Sequence, residues 1–130
     1  TRIVDQKKND AVRVCIVDGG IHHVNYYGQN MAMKTPVLSY FPQHPVEEGK
    51  EEVWTVYGSL CTVSDILLKK LSLPDARIGD YLVFHRIGAY SVTEGMYLFL
   101  SRKLPAVYLY DAQKGAVLLR DRLETWTLNG

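Results

Sequence analysis

The chain has 130 residues, long enough for one domain that buries a real core without covalent staples. Its 47% hydrophobic content is that of a globular protein, and 15 basic against 14 acidic residues leave a formal charge of +1, which excludes the electrostatic footprint of a nucleic-acid or anionic-lipid binder. Two cysteines, Cys15 and Cys61, are too few for a disulfide framework and lack metal-ligand spacing, so they fit a reducing, cytoplasmic setting.

Residues 1–12 (TRIVDQKKNDAV) are polar and unlike a signal peptide, and no apolar run approaches membrane-spanning length. The chain starts at Thr1 without a methionine, so a piece of something longer is expected. RVCIV (13–17) is a nearly continuous apolar run that ends at Asp18-Gly19-Gly20 and predicts a strand buried on both faces, followed by a turn. TPVLSYF (35–41) reads as a second strand, the proline-bearing PQHPVEEGKEE (42–52) as a loop, and VWTVY (53–57) as a third strand. SDILLKKL (64–71) has helical spacing, with Ser64 or Asp65 as its cap, Ile66, Leu67 and Leu71 facing inward, and Pro74 beyond its end. ARIGDYLVF (76–84) predicts a turn at Gly79-Asp80 leading into a strand, and Gly88 to Leu100 fits either an irregular segment or a strand. PAVYLYD (105–111) and AVLLRD (116–121) flank QKG (113–115) as a hairpin, and LETWTL (123–128) reads as a last strand. The expected architecture is therefore all-β, a Greek-key-like barrel or sandwich of roughly seven strands with one short helix. All of it is expected to form a single domain over 1–130.

Each candidate for chemistry has an ordinary structural reading beside it. Cys61, in GSLCTVSD (58–65), is either a small hydrophobe in a core corner or a thiol presented on a loop. None of the four histidines (His22, His23, His44, His85) has a spacing that pairs it with Cys61, and His22-His23 on a strand would point to opposite faces, so no metal site is expected. No glycine-rich loop opens a helix to cradle a nucleotide phosphate. YYGQN (26–30) offers Tyr26 and Tyr27 either to a ligand or to the edge of a core, and Gly88-Ala89-Tyr90-Ser91 has the form of a loop that aims one phenol.

The order of these pieces carries more than any one of them. VDGG (17–20), GSLCTVSD (58–65), GDYLVF (79–84), GAYS (88–91) and SRKLPAVYLY (101–110) follow one another at intervals that resemble the C-terminal domain of pyridoxal-phosphate-dependent decarboxylases of the alanine-racemase-like fold, the diaminopimelate and ornithine decarboxylases among them. The resemblance covers the chain from about Val12 to Tyr110. It implies a two-domain enzyme in which a (β/α)8 barrel, absent from these residues, holds pyridoxal 5'-phosphate on a lysine. It also implies a head-to-tail homodimer whose active sites are each closed by the partner's β-domain. Cys61 would then be the catalytic thiol that reaches across the interface and protonates the substrate Cα after carbon dioxide leaves. A thiol of ordinary pKa, about 8.5, is mostly protonated at neutral pH and suits that task. Tyr90 would be the cofactor-binding tyrosine, its hydroxyl on the phosphate.

Where the family's enzymes carry an acidic residue after the cysteine, this chain has Thr62, which removes the usual charge for the far amino group of a diamino acid. The implied substrate is a small amino acid, carrier-bound or otherwise modified, unless Glu94 supplies the charge from another loop. Thr62, Asp65, Tyr27 and Glu94 are the candidate substrate contacts, with a capping role favoured for Asp65. By itself the chain is expected to be inactive, its partners being its own barrel domain and a second subunit, with no nucleic acid and no membrane. A non-catalytic β-barrel binding or regulatory homologue is the competing expectation.

Overall fold

The structure, a computed structural model, describes residues 1–25, 34–47 and 49–129. Tyr26 and Tyr27 lie outside the described residues. By its internal contacts the chain divides into two compact units, Thr1–Gly95 and Met96–Gly130.

In the first unit, β1 (Ile3–Lys8) runs antiparallel to β2 (Arg13–Val17), with Ile3 opposite Val17 and Lys8 opposite Arg13. The link is an Asx turn, in which the Asn9 side-chain oxygen accepts the amides of Ala11 (3.1 Å) and Val12 (2.8 Å). β1 forms one edge of the sheet and buries only Ile3, so its polar sequence carries no strand signal. β2 lies parallel to β4 (Glu51–Tyr57), with Cys15 opposite Val56, and β4 pairs antiparallel with β5 (Ile66–Pro74). The sheet order is β1-β2-β4-β5. β2 is buried on one face only: Cys15 and Val17 point into the core, while Ile16 is 36% exposed. A two-stranded sheet of β3 (Leu38–Phe41) and β6 (Tyr81–Phe84) joins β1 through a bridge between Arg2 and Tyr81. Ile3, Val17, Trp54, Val56, Leu67 and Leu82, each at most 1% exposed, form the centre of the core.

The expected helix over 64–71 is instead the start of β5. Its spacing misleads because the strand is bulged. Between the pairs Trp54↔Leu71 and Val56↔Leu68, β4 advances two residues and β5 three; between Val56↔Leu68 and Tyr57↔Ile66 the counts are one and two. Each extra residue shifts which face the next side chain meets. Leu67, Leu68 and Leu71 are thus all buried while Lys69 and Lys70 both face solvent, a pattern that imitates a helix face. Lys70 occupies the left-handed region (φ 57°) inside the first bulge.

Asp80, from the predicted Gly79-Asp80 turn, ties several of these elements together. Its side chain is fully buried and accepts the Tyr40 hydroxyl (2.6 Å), the amides of Gln43 and Arg77 (both 2.8 Å) and a contact from His44 Nε2 (3.2 Å). Burial pushes its carboxyl up, but the hydrogen bonds from Tyr40 and from the two amides outweigh that and hold it below the usual carboxylate range. The Tyr40 phenol is pushed up, first by burial and then by its bond to Asp80.

In the second unit, β7 (Val107–Asp111) and β8 (Gly115–Arg120) form the expected hairpin, closed where Asp111 accepts the amides of Gln113 (2.8 Å) and Lys114 (2.9 Å). The strand expected over 123–128 is reduced to a single bridge from Leu123 to Leu104. Thr125, fully buried, donates its hydroxyl to the Arg102 carbonyl (2.7 Å), and the chain then turns into a 3-10 segment, Trp126–Leu128. Among the described residues no helix is long and apolar enough to cross a membrane.

Candidate functional site

The loop 58–65 connects β4 to β5 and is closed at its ends, the Gly58 amide donating to the Asp65 carbonyl (2.8 Å). Inside it the Thr62 amide reaches the Leu60 carbonyl (2.8 Å) and the Asp65 amide reaches the Thr62 carbonyl (3.1 Å). Cys61 stands on this loop with its residue exposed. Cys15 is the opposite case: it is fully buried in β2, and burial pushes its thiol up to about 12. The two cysteines therefore separate into one core residue and one presented thiol.

Because the segment that follows it is the strand β5, Asp65 does not cap a helix. It is 1% exposed, and both carboxylate oxygens are occupied by backbone: Oδ1 accepts the Ile21 amide and Oδ2 the Leu60 amide, each at 2.8 Å. With no helix to cap, the carboxylate fastens the cysteine loop to the turn after β2, where the Ser59 amide also donates to the Gly19 carbonyl (2.8 Å). Two glycines make room for it. A Cβ on Gly20 would come within 2.6 Å of Asp65 Oδ2, and one on Gly58 would overlap the same carboxylate.

The turn after β2 continues through His22 and His23, whose rings touch with centroids 3.8 Å apart. They lie on a turn rather than a strand, and among the described residues no group of three or more His, Cys, Asp or Glu could hold a metal ion. Asn25, at the end of this segment, is held by Ser91: the Asn25 amide donates to Ser91 Oγ (3.0 Å), and Ser91 Oγ–H donates to the Asn25 carbonyl (2.7 Å). Ser91 lies in a 3-10 turn, Ala89–Val92, next to Tyr90, which is 69% exposed. A Cβ on Gly95 would come within 2.5 Å of the His22 carbonyl oxygen, so the segment after Tyr90 also packs directly on this backbone.

The peptide 19–25 is thus a spine to which both the Cys61 loop and the Tyr90 turn are fastened. Thr62 is half-buried and its hydroxyl oxygen accepts the Ser64 amide (3.3 Å). Glu94 is exposed and accepts the Asn25 side-chain amide (3.4 Å). Tyr27 falls outside the described residues. His44 is committed to Asp80, and His85 lies 2.7 Å from the Ser39 hydroxyl. Ser91 and the two glycines are the residues that sequence reasoning missed. A lone serine and isolated glycines have no signal until their neighbours are known.

Among the described residues, the loop 58–65 presents an exposed thiol and the turn 89–92 an exposed phenol. The phenol fits a phosphate as a neutral donor to an anion. No lysine falls within 58–65 or 88–95.

A family model described as the pyridoxal-dependent decarboxylase C-terminal sheet domain matches residues 1–88. The L-glutamyl-[BtrI acyl-carrier protein] decarboxylase of Niallia circulans is 30% identical over 110 residues, which cover 81% of this chain and 25% of that protein. The diaminopimelate decarboxylase of Campylobacter jejuni is 24% identical over 122 residues, covering 94% and 29%. Among solved structures, a diaminopimelate decarboxylase matches with a TM-score of 0.80 at 24% identity over 98% of this chain and 31% of the other. The Helicobacter pylori enzyme complexed with L-lysine matches with a TM-score of 0.78 at 21% identity, over 98% and 30%. The chain spans under a third of the length of each of these proteins.

Proposed function

The chain belongs to the pyridoxal-dependent decarboxylases as their C-terminal sheet domain, and on that premise we propose that it completes a decarboxylase active site across a homodimer interface. Pyridoxal 5'-phosphate, held by a barrel domain outside this chain, supplies the electron sink for loss of carbon dioxide. Cys61 holds the proton that is delivered to the substrate Cα, and Tyr90 donates a hydrogen bond to the cofactor phosphate. The observation that carries this reading is the contrast between the two thiols: Cys15 is fully buried, while Cys61 is exposed on a closed loop. A core role accounts for the first and leaves the second to be explained. The setting is the cytoplasm, where both thiols stay reduced.

The substrate class follows from Thr62. An uncharged hydroxyl, half-buried and engaged within its own loop, gives a free distal ammonium no anionic partner. On this reading the substrate is an amino acid whose far end is masked, by a carrier or another modification; a free distal ammonium would need the exposed Glu94 as its partner. The likeness to a decarboxylase that acts on a carrier-bound glutamyl group supports this.

The test is Cys61→Ala in the assembled enzyme. Turnover is expected to fall by several orders of magnitude, or product to be diverted to a misprotonated species. Unchanged turnover overturns the proton-donor role. In a substrate panel, the masked amino acid is expected to have a higher kcat/KM than diaminopimelate or ornithine; the reverse order overturns the assignment of Thr62.

A further inference from the structure

We infer that Asp65 is a positioning residue for Cys61: its buried carboxylate, shared between the Leu60 and Ile21 amides, fixes where the thiol stands relative to the spine that also carries Tyr90. This deepens the proposed function and rests on it. The Leu60 amide belongs to the residue immediately before Cys61, so Oδ2 restrains the backbone one residue from the one that carries the sulfur. The Ile21 amide on Oδ1 belongs to the segment that Ser91 grips four residues later at Asn25. The same residue closes the loop through its own carbonyl, which accepts the Gly58 amide at 2.8 Å. A single residue, 1% exposed, thus closes the loop through its backbone and attaches it through its side chain to the segment that the Tyr90 turn also grips.

Steric fit narrows the alternatives. A Cβ on Gly20 or Gly58 would collide with this carboxylate, so its seat depends on glycine at both positions. Two charge-assisted bonds to amides need both oxygens as acceptors. An asparagine presents one acceptor and one NH2, and so sets a donor against one of the two amides. In that case the Cys61 loop keeps its sequence and loses its registration against the Tyr90 turn. Proton delivery depends on such registration, because small misplacements of a reacting group cost rate without costing binding.

Amide hydrogen exchange on the full chain tests the geometry before any substitution. The Leu60 and Ile21 amides are expected to exchange at least about tenfold more slowly than that of Val63, whose residue is 90% exposed on the same loop. Equal rates overturn the inference. In Asp65→Asn, peptide-resolved alkylation of Cys61 by iodoacetamide is expected to change rate by about tenfold while a cooperative melting transition is retained, as loss of a charge-assisted loop bond predicts. An unchanged alkylation rate in the folded variant assigns Asp65 a purely structural role and overturns the inference. Gly20→Ala, which crowds the same carboxylate, is expected to move the rate in the same direction. Should both variants fail to fold, the exchange measurement decides. In the assembled enzyme Asp65→Asn is expected to lower kcat with KM near that of the parent. If Cys61→Ala leaves turnover intact while Asp65→Asn alters Cys61 alkylation, the proton-donor role falls and the positioning role stands.

Discussion

Replacing Asp80 by asparagine tests the claim that one buried carboxylate organises the turn between β5 and β6. The side chain is fully buried and faces four donors: Oδ2 takes the Tyr40 hydroxyl, the Arg77 amide and His44 Nε2, and Oδ1 takes the Gln43 amide. If the asparagine oxygen replaces Oδ2, its NH2 meets the Gln43 amide, and a buried donor is left without an acceptor at a cost of about 1–3 kcal/mol. The remaining bonds lose their charge assistance, which adds roughly 1 kcal/mol more. The expected loss is about 3 kcal/mol, or roughly 10 °C in Tm for a chain of this size. The pH dependence supplies a second readout. The folded-state pKa of Asp80 is lowered, so its contribution is fully present above the unfolded-state value, about 3.9, and disappears as pH falls through the folded-state value. Thermal melts of parent and Asp80→Asn are therefore expected to differ most at neutral pH and to converge in acid. A variant that melts within about 1 °C of the parent at pH 7 refutes the reasoning, as does a gap that stays constant into acid.

Thiol titration with a disulfide reagent at neutral pH is expected to count one reactive cysteine in the folded chain and two after denaturation, because Cys15 is fully buried with its thiol pushed up to about 12. Two fast thiols in the native state would contradict the placement of Cys15 in the core. Lys70→Gly is expected to stabilise the protein by about 0.5–1 kcal/mol, since relief of the left-handed backbone at the bulge exceeds the entropy cost of glycine. A lower midpoint in chemical denaturation would show that the lysine side chain contributes more than its backbone strain costs.

Several elements were legible in the sequence because short-range pattern decides them. VWTVY is a short run of β-branched and aromatic residues of strand length, and QKG between two apolar runs marks a hairpin. A glycine-aspartate pair before YLVF marks a turn. β1 was not legible: as an edge strand it needs only Ile3 in the core, and the rest of IVDQKK reads as solvent-facing chain. The spacing of β5 imitates a helix because two extra residues relative to β4 bring Leu67 and Leu68 to the same interior. A bulge is fixed by the partner strand, and one strand's sequence carries no record of it.

For the site, the order of the motifs identified the family and singled out Cys61 as a residue in need of explanation. Tertiary structure decided which backbone groups the Asp65 carboxylate meets, since a carboxylate at the end of a loop is equally suited to capping a helix or gripping a distant amide. Only folding brings the Ile21 amide to it, across 44 residues of chain, and removes the water that would otherwise compete for those bonds. Local pattern settles which backbone forms; which polar groups meet in the interior is settled by packing.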